Sequence, residues 1–205
     1  MSSSLISRES PLLLASSSPR RKRLLKQIRL PFRSFSSAVE ERAGEGPPER
    51  NVCMLAEKKA RSILDSSRGN WVLGADTMVV LDPVVLGKPK NGDEARAMLL
   101  RLSGKEHEVV TGFCLLDPAG QRAHAEAVVT RVKMKALSEE EIRGYVASGE
   151  PFGKAGSYAI QGLGSFMVER ISGSYTNVVG LPLCALVKAL VAAGALRHFP
   201  LAAGD

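Results

Sequence analysis

The sequence is poor in the residues that most often announce a function. It has three cysteines, Cys53, Cys114 and Cys184, an odd number set far apart, so neither a disulfide framework nor a CxxC metal or redox pair can be drawn from them. That usage fits a reducing, cytoplasmic compartment. Its three histidines, His107, His124 and His198, have no second ligand at zinc spacing, which argues against a histidine-held metal or a Cys/His nucleophile pair and leaves them as strand or surface residues. Aromatic residues are 5% of the chain and do not alternate with basic ones, so a stacking platform for nucleic acid is poorly supported. No apolar run approaches the roughly 20 residues of a membrane span, and the start MSSSLISRES lacks the apolar core of a secretory signal. Neither a membrane nor a nucleic acid is therefore expected as a partner.

What is present is a basic chain of 205 residues with a formal charge of +7. The length suits one α/β domain, or two lobes sharing a sheet. The charge favours an anionic partner, although sign alone does not choose among nucleic acid, acidic lipid and phosphorylated small molecules.

The hydrophobic pattern alternates between strand and helix. Residues 11–16 read as a buried strand, after which Ser18 can cap a helix that begins at Pro19, buries Leu24, Leu25 and Ile28, and stops before Pro31. A second strand is expected over 32–37, and then a helix with Val52, Leu55, Ala56, Ala60 and Ile63 on one side. WVLGADTMVVL (71–81) is an apolar strand, turned by Asp82-Pro83 into a short return through VVLGKP. Asn91 with Glu94 opens a helix that Gly104 ends, and residues 107–116 and 121–136 form a hairpin around Asp117–Gly120. Ser138 and Glu141 make a capping box for the next helix, and Pro182 opens a last one before Gly194. Hairpins interrupt the βαβ rhythm, which predicts a mixed sheet.

Several charges break this pattern. In LLLASSSPRRKRLL (12–25) the bases Arg20 and Arg21 sit in the first turn of a helix, where the dipole disfavours positive charge by a few tenths of a kcal/mol or more. A bound anion reverses that cost, and the hydroxyls of Ser16 and Ser18, the helix N–H groups and two guanidinium forks could together hold phosphate oxygens. Lys22 and Arg23 read as solvated. Lys59 falls in the middle of an apolar helix stripe, so its ammonium must either snorkel out or meet a negative partner. Asp76 is a carboxylate inside an apolar strand and needs a donor, a cation or a metal. Lys88, and Glu40 or Glu41 in the loop before the second helix, add a further cation and carboxylate. GEPFGK (149–154) falls one residue short of a P-loop and is followed by Ala155 instead of Ser or Thr, and no GxGxxG follows a strand. A small polyphosphate is the better anion.

The blocks LLLASSSPRR, AEKKA, LGADTMVV, GKP, EARAMLLRLSGKEHEVVTG, GYVASGEPFGKAGSYAIQG and SYTNVVGLPL resemble, in order and spacing, those of the Maf family over about residues 11–192. The resemblance implies a two-lobed, elongated mixed β-sheet flanked by helices, similar to the inosine triphosphate pyrophosphatases, with the active-site cleft between lobes. It places a single domain over 11–196, between an N-terminal extension (1–10) and a C-terminal tail (197–205). It implies a nucleoside triphosphate pyrophosphatase that uses magnesium or manganese and releases a nucleoside monophosphate and pyrophosphate. By the same resemblance Asp76 is the proton acceptor and a metal ligand, and Glu41 is the loop carboxylate that shares the metal. Arg20, Arg21, Lys59 and Lys88 occupy the essential basic positions. Arg20, Thr77 and Gln161 match the branch that acts on dTTP and UTP, whereas the 7-methyl-GTP branch tends to carry a non-basic residue, a glutamine and a glutamate. The loop 42–50 is shorter than the family pattern. A 7-methyl-GTP enzyme, or a nucleotide-binding regulator of cell division with little turnover, remains the alternative, and a homodimer is left open.

Overall fold

The structure is a computed structural model that describes residues 5–37, 39, 44–67 and 69–201. The chain order is β1 (Leu12–Ala15), α1 (Pro19–Gln27), β2 (Phe32–Phe35), α2 (Pro48–Arg61), β3 (Val72–Leu81), β4 (Val84–Leu86), α3 (Gly92–Leu102), β5 (Glu106–Leu116), β6 (Arg122–Met134), α4 (Glu139–Ala147), β7 (Val168–Ser172), α5 (Tyr175–Val179) and α6 (Leu183–Ala192). Among the described residues seven strands form one open sheet in the order β2-β1-β3-β5-β6-β7, with β4 pairing on β3. β1 runs parallel to β2 and β3, while β4 is antiparallel to β3 and β7 to β6. The expected mixed sheet with flanking helices is thus what the chain forms. None of the described helices is long and apolar enough to cross a membrane.

The chain divides into two compact units. One contains the residues up to Asp76, Thr111–Val128 and the residues from Gly180 on; the other contains Thr77–Val110 and Val129–Val179. Strands β3, β5 and β6 each contribute residues to both.

In the first unit α2 covers the sheet. Its Ala56, Ala60 and neighbouring Ile63 pack with Leu13, Ala15, Val72, Cys114 and Leu116. Two glycines make the approach close. A Cβ at Gly74 would lie 2.0 Å from the Ala56 carbonyl oxygen, and one at Gly112 would lie 2.5 Å from the Val52 carbonyl carbon, so only glycine admits the helix backbone at these points. Ile6 N–H donates to Ala195 O at 2.9 Å, joining the first strand's leader to the segment after α6.

In the second unit Val79, Leu99, Leu102, Val109, Val132 and Ile142 form the centre of a separate core. The capping box opens α4: Ser138 Oγ accepts from Glu141 N–H and Glu141 Oε2 accepts from Ser138 N–H. The α3 start differs slightly from a reciprocal box. Asn91 Oδ1 accepts from Glu94 N–H at 2.9 Å, but the Glu94 carboxylate turns to the N–H of Lys90. At α1 the difference is larger. Ser18 holds the N-cap position without a side-chain cap bond, and its own N–H donates to Ser16 Oγ at 3.2 Å.

Candidate active site

The parallel pairing Leu14↔Leu73 sets β1 against the start of β3. Ser16 lies just past the carboxyl end of β1, where α/β proteins place ligands, and Asp76 lies three residues past Leu73, still inside β3. The side chain of Asp76 shares the face of β3 with position 74, the face on which α2 rests. α2 thereby carries Lys59 to Asp76, with Nζ 2.6 Å from Oδ1. Both are nearly closed to water, Lys59 at 3% and Asp76 at 5% exposure. Lys59 does not snorkel, and the buried carboxylate has its cation. Two charges taken out of water are tolerable only when paired this closely.

Arg21 is also buried, at 8% exposure. Its Nε donates to Gly180 O at 2.8 Å and its Nη1 to Ser16 Oγ at 3.3 Å. The guanidinium therefore ties the loop after β1 to the segment before α6, while Arg20 beside it is half-buried. Pro19 starts α1 and brings no N–H of its own, so the amides of the residues that follow provide the anion-facing end of the helix. Glu41, and Glu40 beside it, lie outside the described residues.

Thr77, Lys88 and Gln161 belong to the second unit. Thr77 is half-buried in β3, Lys88 is exposed in the connection from β4 to α3, and Gln161 is half-buried in the loop that follows the 155–157 turn. Gly156 N–H donates to Gly87 O at 3.0 Å, so the Lys88 connection and the Gln161 loop are fastened one residue from Lys88. The near P-loop is a different thing. Lys154 Nζ donates to the Glu150 carbonyl of its own turn and to Phe152 O, which engages it with backbone oxygens.

Sequence reasoning missed the network beneath Gln161. Glu150 accepts from Gly164 N–H at 2.9 Å, from Leu163 N–H at 3.1 Å and from the Tyr145 hydroxyl at 3.0 Å. Burial alone would raise its carboxyl, but those two backbone donors and the hydroxyl prevail and hold it below the ordinary carboxylate range. Nearby in the same unit, His107 Nε2 meets the Tyr158 hydroxyl at 2.8 Å. His107 is a strand residue as expected, but at 2% exposure it is no surface group, and burial pushes its pKa from 6.5 to about 4. The glycines inside the apolar strands β3 and β5 were the available signal for the close approach of α2. Nothing comparable marked Glu150.

Burial pushes the Cys114 thiol up to about 12 and raises that of Cys53, which disfavours the thiolate at both. Among the described residues no cluster of three or more His, Cys, Asp or Glu forms a closed metal cage.

The first unit thus carries a buried lysine–carboxylate pair between α2 and β3, and two arginines in the first turn of the helix that follows β1. The chain belongs to the Maf-like protein family, whose model matches residues 11–193. A curated relative from Ruminiclostridium cellulolyticum, named dTTP/UTP pyrophosphatase, is 51% identical over 174 residues, 84% of this chain and 90% of that protein. One from Geobacter sp. strain M21 with the same name is 50% identical over 193 residues, 93% of this chain and 100% of that protein. A solved nucleoside-triphosphatase (dITP/XTP pyrophosphatase) from Mycobacterium abscessus is similar at 18% identity and a TM-score of 0.39, over 62% of this chain and 75% of that one.

Proposed function

We propose that this chain hydrolyses the α,β-phosphoanhydride of dTTP and UTP, and of modified pyrimidine relatives, to the monophosphate and pyrophosphate. The observation that carries the reading is the buried Lys59–Asp76 pair, set in a chain about half identical to proteins named dTTP/UTP pyrophosphatase. The reading takes the enzyme to be cytoplasmic, with a homodimer left open as its assembly.

The reaction needs a water aligned on the α-phosphorus, neutralisation of the triphosphate and a stabilised leaving group. Asp76 is the proposed general base: its carboxylate orients the water and takes one proton as oxygen bonds to phosphorus and the bond to the bridging oxygen breaks. Lys59 fixes that carboxylate and presents an ammonium to the phosphates. Arg20, Arg21, Lys88 and the hydroxyls of Ser16 and Ser18 bind the phosphate chain, with Arg21 already locked by Gly180 and Ser16. Such preorganisation lowers the cost of meeting charge as it develops on the leaving pyrophosphate.

The donor set fits a hard divalent cation. Asp76 supplies one carboxylate, and magnesium takes one or two carboxylates and fills the remaining positions with water and phosphate oxygens. Asp76 would hold it, together with Glu41 as the resemblance implies, and the ion would supply neutralisation of phosphate charge. For the base, the Gln161 amide carries both donor and acceptor groups; held with its NH2 towards the C4 carbonyl and its oxygen towards N3–H it matches thymine and uracil, whereas cytosine requires the flipped amide. Thr77 and Arg20 accompany it as the other base-choice positions.

The test is pyrophosphate release from dTTP, UTP, dCTP and 7-methyl-GTP with magnesium or manganese. Turnover of dTTP and UTP is expected. Turnover of 7-methyl-GTP alone overturns the specificity, and binding without turnover of any of them overturns the enzymatic reading in favour of a regulator.

A further inference from the structure

Gln161 sits in a loop whose two flanks are pinned to the same point. On one side Ala159 N–H donates to the Tyr145 hydroxyl at 3.1 Å. On the other, Leu163 N–H and Gly164 N–H donate to the Glu150 carboxylate. The anchors themselves meet, because the Tyr145 hydroxyl donates its proton to Glu150 Oε1 at 3.0 Å. The loop is drawn in so tightly that a Cβ at Gly164 would lie 2.5 Å from Ala159 O and 2.7 Å from Tyr145 Oη. Tyr145 is in turn buried in the core at 2% exposure, so one anchor of the clamp is mounted on α4 and the other, Glu150, in the turn that follows it.

We infer that Glu150 is a positioning residue for base selection, one that presents the Gln161 amide by closing the 159–164 loop onto the Tyr145 hydroxyl. The inference rests on the reading of Gln161 as the group that meets the pyrimidine. Its chemistry is specific to an anion at this position. Three donors converge on one carboxylate, whose two oxygens can accept all of them. A glutamine of the same shape has only one accepting oxygen and presents an NH2 to the remaining backbone donor, so one of the two bonds that hold the 163–164 flank is lost while the side chain still fits. The phosphate-binding residues and Asp76 lie elsewhere in the sequence and take no part in the clamp. Disturbing it should therefore weaken recognition of the base and leave the chemical step alone.

The test uses Glu150→Gln, Tyr145→Phe and Gln161→Ala in the full chain, with steady-state kinetics on dTTP, UTP and dCTP and amide hydrogen exchange over residues 159–164. For Glu150→Gln the expected result is a KM for dTTP and UTP raised about tenfold with kcat within about twofold, and a reduced preference for dTTP over dCTP. The amides of Leu163 and Gly164 should exchange faster. Tyr145→Phe keeps the buried ring, removes the hydroxyl, and should move KM in the same direction with faster exchange at Ala159; it carries the test if Glu150→Gln does not fold. Unchanged exchange and unchanged KM in both variants, with Gln161→Ala altered, overturn the inference. Faster exchange with neither the clamp variants nor Gln161→Ala changing KM or base preference shows that the Gln161 reading has failed, and the positioning role with it, although the clamp exists.

Discussion

Gly74 and Ala56 are in such close contact that a side chain on the glycine would stand 2.0 Å from the alanine's carbonyl oxygen. The relationship sets the depth at which α2 lies on β3, and with it the distance between Lys59 and Asp76. Gly74→Ala should therefore do more than overpack a core: it must lift the helix backbone, at a cost of about 3 kcal/mol, and separate the ion pair. Urea denaturation should show the loss, and pyrophosphate release should fall in the fraction that remains folded. A folded, fully active Gly74→Ala protein of unchanged stability would contradict this account.

The Lys59–Asp76 pair should separate stability from activity. Lys59→Met leaves a buried carboxylate without its lysine and should destabilise by about 3–5 kcal/mol. Adding Asp76→Leu removes the uncompensated charge and should restore most of that stability, yet the double variant should release no pyrophosphate. Asp76→Asn alone should lower kcat by about 100-fold or more. Near-normal turnover of Asp76→Asn at saturating metal would exclude a general base at this position.

Arg21→Lys tests whether the fork geometry matters beyond the charge. One ammonium cannot reproduce the Nε bond to Gly180 O together with the Nη1 bond to Ser16 Oγ. Activity on dTTP should drop about tenfold while stability changes by no more than about 1–2 kcal/mol, as read by parallel kinetics and denaturation. Full activity in Arg21→Lys would reduce its role to that of a general cation.

His107 predicts how stability depends on pH. The folded chain protonates it near pH 4 and the unfolded chain near 6.5, so unfolding takes up a proton between those values. Stability is then complete above about pH 6.5 and falls as pH drops towards 4, by about 3 kcal/mol from this group. His107→Gln keeps a polar partner for Tyr158 but does not titrate. Its urea midpoint should vary less across that window than the parent's, and equal slopes would place the acid sensitivity elsewhere.

The anomalies in the sequence were easier to read than their solutions. Lys59 and Asp76 stand out because each is a charge inside an apolar pattern, but their separation of 17 positions gives no register for helix against strand. Only the glycine at 74 hints at it. Helix boundaries at α3, α4 and α6 follow from caps and prolines, which act locally. Ser18 shows the limit of that logic, since it stands at the N-cap position while its side chain makes no cap bond. Strand β7 was illegible because VERIS lies at a sheet edge, half-buried or exposed, without the apolar alternation that marks an interior strand. Glu150 was invisible for a related reason: two of its three partners are main-chain amides, and main-chain amides are the same in every sequence.

The main-chain bond from Ile6 to Ala195 has a practical corollary for engineering. Because those two segments are neighbours, a short linker from Leu196 back to Ile6 can splice the chain into a ring, and fresh ends can be cut at the exposed Ala119 in the turn between β5 and β6. The permuted protein should fold and keep its hydrolytic activity, giving a scaffold in which the original ends become an internal joint.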